Sequence, residues 1–147
     1  MRLLWRQDRS DFDGRFFQLS NAVGNPKPIQ QPHPPIWIGA AGAKMLRVVA
    51  EHADVWNSAV GGLEAAATTG ERLMAACQAI GRDAGDIRWS GQVDCDGTDP
   101  EATIAELGRW WEAGFSELII YCQGADPVRS ANVAAEKILP QIRKGAR

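Results

Sequence analysis

From residue 36 onward, polar and apolar positions fall into repeating blocks: a short apolar run, then a longer stretch with apolar residues three or four apart. The run Ile36 to Ile38 predicts a strand, and Met45, Leu46, Val49 and Ala53 predict a helix over residues 43–53 that packs on a sheet. DVWNS at 54–58 reads as a second strand. Leu63, Ala66, Leu73, Met74, Cys77 and Ile80 mark one side of a helix over 63–80 that Gly81 terminates. Gly70 weakens the middle of that helix by about 1 kcal/mol relative to alanine. IRWSGQV at 87–93 predicts a third strand, in which Gly91 marks a bulge or a close approach to the backbone. The clearest helix is TDPEATIAELGRWWEAG: Thr98 or Asp99 caps it, Pro100 suits its first turn, Ile104, Leu107 and Trp111 form its buried stripe, and Gly114 stops it. Trp110 and Trp111 cannot share a helix face, so one of them is exposed or covered by a partner. The apolar run LIIY within 117–122 predicts a fourth strand covered on both faces. A last helix over 127–142 has its final turn broken or bent by Pro140.

Ahead of these blocks, Arg2 to Arg6 resembles the tail of a helix, and SDFDGRFFQLSNA predicts a short hairpin or irregular loop around Gly14. Five prolines between Asn25 and Pro35 forbid helix and favour an extended, solvated connector over 25–35. Strand and helix thus repeat four times, with helices long enough for right-handed parallel crossovers. The pattern predicts an α/β fold whose four βα units form a parallel sheet or half of an eight-unit barrel.

Composition narrows the function classes. A chain of 147 residues with 45% hydrophobic content suits a single domain. A net charge of −2 with scattered basic residues argues against nucleic acid. No apolar stretch approaches the roughly 20 residues of a membrane span, and MRLLWRQDRS lacks the features of a signal peptide. The expectation is a soluble, cytoplasmic protein. Cys77, Cys95 and Cys122 are widely spaced, fit neither a disulfide framework nor a structural zinc site, and read as reduced thiols that mostly pack.

PPIWIGAAG at 34–42 is the most informative stretch: a strand, a small-residue loop and a helix start. The first N–H groups of a helix lack intrahelical partners and sit at the positive end of its dipole, so an anion can be held there without a basic side chain. Gly39 and Gly42 allow close approach and positive φ, and Ala40 and Ala41 add little bulk. A tight turn without a ligand is the bland alternative. Lys44 is either a charge partner or a solvent-facing helix residue.

The longer stretch PKPIQQPHPPIWIGAAGAKMLRVVAEHADVWN closely resembles the second half of the barrel in bacterial luciferase-like flavin or deazaflavin oxidoreductases. GRDAGDIRWS, the helix from Asp99 to Gly114, the ending AAEKILPQIR and the earlier SDFDGRFFQL follow the same family's pattern in the same order. The resemblance covers nearly the whole chain. It implies a (β/α)8 TIM barrel with its active site at the C-terminal ends of the strands, and a chain that carries about four C-terminal βα units as one luciferase-like domain over 1–147. It further implies an oxidoreductase component that uses reduced FMN or the deazaflavin coenzyme F420 for hydride transfer or monooxygenation of a small organic substrate. The cofactor phosphate falls to Gly39, Ala40, Ala41 and Gly42.

Family members are about twice this long, as a whole barrel of about 250 residues or more requires. The usual catalytic polar residues belong to the N-terminal half, so the resemblance assigns no catalytic residue here. It implies a truncated or split gene product, a partner that supplies that half, or self-association to a homo-oligomer, since an open half barrel exposes a parallel edge at each end. A non-catalytic half barrel that serves as a binding or assembly module is the alternative.

His33, among prolines, and His52, near a helix end, read as a solvated loop residue and a helix-terminal residue. Ser58, Ser90 and Asp94 lack a nucleophile elbow and a histidine placed to activate a serine. Asp94, Asp96 and Asp99 lack the spacing of a calcium loop and read as a capping turn. At the C-terminal ends of the strands, Asn57, Asp94 and Gln123 are candidates to line a pocket mouth. Trp56, Trp89 and Tyr121 have the size to pack on a flat ring, although strand aromatics more often build core.

Overall fold

A computed structural model describes residues 1–58 and 61–145. Two compact units divide the chain, Met1–Pro35 and Ile36–Arg147.

In the first unit, α1 (Arg2–Arg6) precedes the antiparallel hairpin of β1 (Ser10–Asp13) and β2 (Gln18–Ala22). The hairpin alternative is therefore the one adopted, and Gly14 N–H donates to the Phe17 carbonyl across its turn (3.0 Å). The proline-rich segment 25–35 is tied back onto α1. Lys27 Nζ donates to the carbonyls of Leu4 (2.9 Å) and Gln7, oxygens that the end of a short helix leaves without intrahelical donors.

The second unit is a four-stranded sheet in the order β3 (Trp37–Gly39), β4 (Val55–Asn57), β5 (Arg88–Cys95) and β6 (Glu117–Cys122). Every neighbouring pair is parallel. The helices α2 (Ala43–His52), α3 (Leu63–Ala79) and α4 (Pro100–Glu112) supply the crossovers. Strand order follows sequence order, as repeated right-handed βα units dictate. No closed barrel forms among the described residues, so the α/β parallel sheet of the sequence pattern is present and the half barrel stays an inference. No helix among them is long and apolar enough to cross a membrane.

Register assigns each strand residue to a face. Ile38, Trp56 and Trp89 stand in one row, and Gly91, Val93 and Cys95 alternate with residues of the opposite face beside Leu118, Ile120 and Cys122. This face meets the helices, and its core includes Leu46, Val49, Leu73, Leu107, Trp110, Phe115 and Ile138. Two glycines act as sockets. A Cβ on Gly91 would overlap the Trp110 ring, and one on Gly70 would overlap the Trp89 ring. Gly91 is thus a close-approach position, as the sequence suggested, and the propensity lost at Gly70 gives an indole its place in α3. The four large rings close together: Trp110 lies 4.7 Å from Phe115 and Trp89 lies 5.2 Å from Trp56, both edge-on.

Several helix faces are rotated from their sequence reading. In α4 the buried residues are Thr103, Leu107 and Trp110, while Trp111 is 55% exposed. The socket at Gly91 accepts Trp110 and turns its neighbour outward. Met45, Met74 and Ile80 are also exposed, while the buried residues of α2 and α3 are Leu46, Val49, Ala50, Ala66, Thr69, Gly70, Leu73 and Cys77. In β6, Ile119 and Tyr121 are exposed, so the LIIY run is covered on one face only. Beyond it come α5 (Pro127–Val133), a π turn (Ala134–Ile138) and α6 (Leu139–Gly145). Pro140 does not break the helix, which continues to Gly145. With no N–H at Pro140 the carbonyl four residues earlier lacks its usual donor, and the wide turn lies directly before the proline.

Candidate functional site

The junction of β3 and α2 is built by two strands and a helix. β3 ends at Gly39, and Gly42 is the N-cap of α2 with φ −80° and ψ 145°. No side chain caps α2, and its first turn holds no acid. Leu46 N–H makes the first intrahelical bond, to the Gly42 carbonyl (2.9 Å), so the amides of Ala43, Lys44 and Met45 precede the ladder. Between strand and helix, Ala40 is fixed on both sides. Its carbonyl accepts from Trp56 Nε1 (2.8 Å), and its N–H donates to the Asn57 carbonyl (3.4 Å).

This geometry corrects one expectation. Neither Gly39 nor Gly42 adopts positive φ. Their contribution is open space: a Cβ on Gly42 meets nothing within 4 Å, and one on Gly39 meets only the Asn57 carbonyl at 4.0 Å. Ala40, buried and already bonded, is a fastening point, while Ala41 is half-buried and Gly42 exposed. Lys44 lies on the exposed surface of α2.

At the end of β4, Ser58 N–H donates to the Ser90 carbonyl (2.8 Å), but the Ser58 hydroxyl is buried with no hydrogen-bond partner among the described residues. A buried hydroxyl left unpaired costs about 1–3 kcal/mol. Ser58 directly follows Asn57, whose carbonyl holds the Ala40 amide. The sequence raised Ser58 only as a hydrolase serine. Burial and the missing partner, which residue type does not reveal, mark it as they also mark Ser10 in the first unit, and its place directly after Asn57 is what ties it to this loop.

The three proposed mouth residues do not form one cluster. Asn57 stands level with Ser90, and its Nδ2 donates to Ser90 Oγ (2.9 Å) while its Oδ1 accepts from Gln92 Nε2 (3.2 Å). Asp94 lies four residues further along β5, about 13 Å at strand rise. Gln123 follows β6, and its backbone accepts from Ser130 Oγ (2.8 Å) and donates to the Cys95 carbonyl (2.9 Å). Asn57, Gln92, Asp94, Ile119 and Tyr121 share the sheet face opposite the helices, where Gln92, Asp94, Ile119 and Tyr121 are exposed. Trp56 and Trp89 point the other way, into the core, so neither is placed for ring stacking on that face. Tyr121, 57% exposed, is.

The remaining candidates have structural partners. His33 lies in the first unit with Nδ1 2.9 Å from the Pro34 carbonyl, and His52 ends α2 beside Glu51 (3.5 Å). Asp99 caps α4 by accepting from Ala102 N–H (2.9 Å). Asp96 accepts from the Thr98 hydroxyl (2.7 Å) and from its N–H (2.8 Å), which lowers its pKa below the ordinary aspartate value. No group of His, Cys, Asp and Glu among the described residues is placed to hold a metal ion. An apolar groove of about 500 Å3 between α4, β6 and α6, lined by Leu107, Trp111 and Ile142 among others, opens on the helix side, away from the junction.

A model of the luciferase-like monooxygenase family matches residues 1–142. The chain belongs to the luciferase-like family. An uncharacterised protein of Mycobacterium tuberculosis is 32% identical over 136 residues, which are 92% of this luciferase-like chain and 44% of that protein. The chain therefore spans less than half the length of the curated relatives it matches in this way. Among solved structures, an F420-dependent secondary alcohol dehydrogenase superposes with a TM-score of 0.77 at 16% identity, covering 97% of this chain and 58% of that one. A long-chain alkane monooxygenase superposes with a TM-score of 0.72 at 12% identity, covering 92% and 46%. At these identities the likeness is one of fold.

Proposed function

We propose that this chain holds the phosphate end of a flavin-type cofactor in a luciferase-like oxidoreductase that acts on a small organic substrate by hydride transfer or monooxygenation. The observation that carries the reading is the start of α2, uncapped and free of acid behind a small-residue loop, with the unpaired Ser58 hydroxyl buried at the neighbouring strand end. A phosphate at this place accepts from the leading amides of α2 and gives the Ser58 hydroxyl a partner. Trp56 and the Asn57 carbonyl hold the loop in shape before any ligand arrives, which lowers the ordering cost of binding. Lys44 adds positive charge near the same amides.

FMN and the deazaflavin coenzyme F420 both carry such a phosphate and are both candidate occupants. The bound cofactor supplies the redox chemistry, and the protein orients it and excludes competing reactions. We place the ring over the open sheet face, with Asn57, Asp94 and Gln123 toward the pocket. The rest of a barrel, from an N-terminal half or from a second copy, covers it.

One observation favours a second reading, a non-catalytic half barrel that binds or assembles. Trp56 and Trp89 are committed to the core, so this chain offers a ring little more than Tyr121 and Trp37. Titration of the purified chain with FMN and with coenzyme F420, with mass in solution followed by light scattering, separates the two. Saturable binding that Gly39→Val weakens by about tenfold, a loss near 1.4 kcal/mol, supports the cofactor reading. Turnover with either cofactor excludes the second reading. A well-folded chain that binds neither cofactor excludes the first.

A further inference from the structure

The sequence separates Cys95 from Cys122, but the sheet places them side by side. They are register partners, the last pair along β5 and β6, and both belong to the helix-side face. Neighbouring strands lie about 4.8 Å apart, within the Cα separation of about 4.4–6.8 Å that a disulfide spans. Both are free thiols. They differ in access: Cys95 is buried and Cys122 is half-buried. Directly beyond them each strand gives way to a loop, Asp96 to Asp99 and Gln123 to Asp126, and the Gln123 amide donates to the Cys95 carbonyl (2.9 Å), which keeps the two strand ends side by side. Cys77, the third cysteine, is a buried residue of α3 with its thiol pushed up by desolvation, and it belongs to a different strand-helix unit.

We infer that Cys95 and Cys122 form a peroxide-oxidised dithiol pair, a modification site that locks the C-terminal ends of β5 and β6 together. Cys122, the more accessible thiol, reacts first as the thiolate: its sulfur attacks hydrogen peroxide, the O–O bond breaks, a sulfenic acid forms, and the departing hydroxide takes up the thiol proton as water. Cys95 sulfur then attacks Cys122 sulfur, the S–S bond forms, the S–O bond breaks, and a second water leaves. Two thiols lose two electrons, and one hydrogen peroxide is reduced to two waters. The inference is independent of which cofactor the chain binds.

Tryptic cleavage keeps the three cysteines on separate peptides, with Cys95 in 89–109, Cys122 in 110–129 and Cys77 in 73–82. The native chain is exposed to hydrogen peroxide, alkylated after unfolding, digested without reduction and weighed by mass spectrometry. The expected product joins peptides 89–109 and 110–129 with the loss of two hydrogens, leaves Cys77 alkylated, and separates again on reduction. In Cys95→Ser the sulfenic acid at Cys122 has no second thiol, so labelling by dimedone should rise severalfold over the unchanged chain. Cys95 fully alkylated after peroxide, while Cys122 is over-oxidised or linked to another molecule, would overturn the inference. So would equal dimedone labelling of the two chains.

Discussion

The two faces of one sheet have opposite characters. On the helix side, Trp56, Trp89, Val93 and Cys95 meet rings and aliphatic side chains, and Gly91 is hollowed to accept an indole. On the other side, Asn57 donates to Ser90 and accepts from Gln92, Arg88 pairs with Glu117, and Ile119 and Tyr121 are exposed. The first face is packed against the chain's own helices and stabilises the fold. The second is polar and partly exposed, the face over which we propose that a ligand and the rest of a barrel lie. Stability and function are therefore separable by face, and substitutions should sort accordingly.

The largest contrast lies within one dipeptide. Trp110→Ala empties a core socket and should cost about 3–5 kcal/mol, whereas Trp111→Ala, on the exposed side of α4, should cost under about 1 kcal/mol in urea unfolding. Comparable losses would contradict the assignment of faces. Next come the sockets. Gly91→Ala and Gly70→Ala should each destabilise by about 1–3 kcal/mol through overpacking against Trp110 and Trp89. At Gly70 the sign is informative, since helix propensity alone predicts a gain of about 1 kcal/mol. A stabilised Gly70→Ala would mean that the Trp89 ring is free to move aside.

On the open face, Tyr121→Ser and Ile119→Ser should change the stability of the isolated chain by about 0.5 kcal/mol or less. The smallest effect is electrostatic. The Asp96 pKa is lowered chiefly by the Thr98 hydroxyl and amide, so the stability it contributes is present above the ordinary aspartate range near 4 and lost as pH falls through the lowered value. Thr98→Val should raise the Asp96 pKa in an NMR titration toward its ordinary value. An unmoved pKa would assign the shift to the backbone instead.

What was legible in the sequence follows the same division. Asp99, Pro100 and Gly114 set the ends of α4 through local chemistry, and all three act as their residue types require; Gly114 has φ +92°. The four strands were legible because apolar runs punctuated by glycine and proline carry their own signal. The phase of α4 was not, since a glycine in a strand does not announce that a tryptophan will fill its place. The exposure of Ile119 and Tyr121 was hidden for another reason: an apolar run reads alike whether its cover comes from the same chain or from elsewhere. At the site, the loop 39–42 was legible as a small-residue turn. The fastening of Ala40 by Trp56 and the unpaired hydroxyl of Ser58 depend on pairing between β3, β4 and β5, which no local pattern reports.

Cofactor binding at this junction is tested most directly by a 1H–15N NMR titration of the chain with FMN and, separately, with coenzyme F420. Phosphate held at the start of α2 gives saturable shifts concentrated on Ala41 to Met45 and Ser58, with the amides of Gly91, Val93 and Leu118 unmoved. Saturable shifts centred elsewhere, or a folded chain whose spectrum neither cofactor changes, would contradict it.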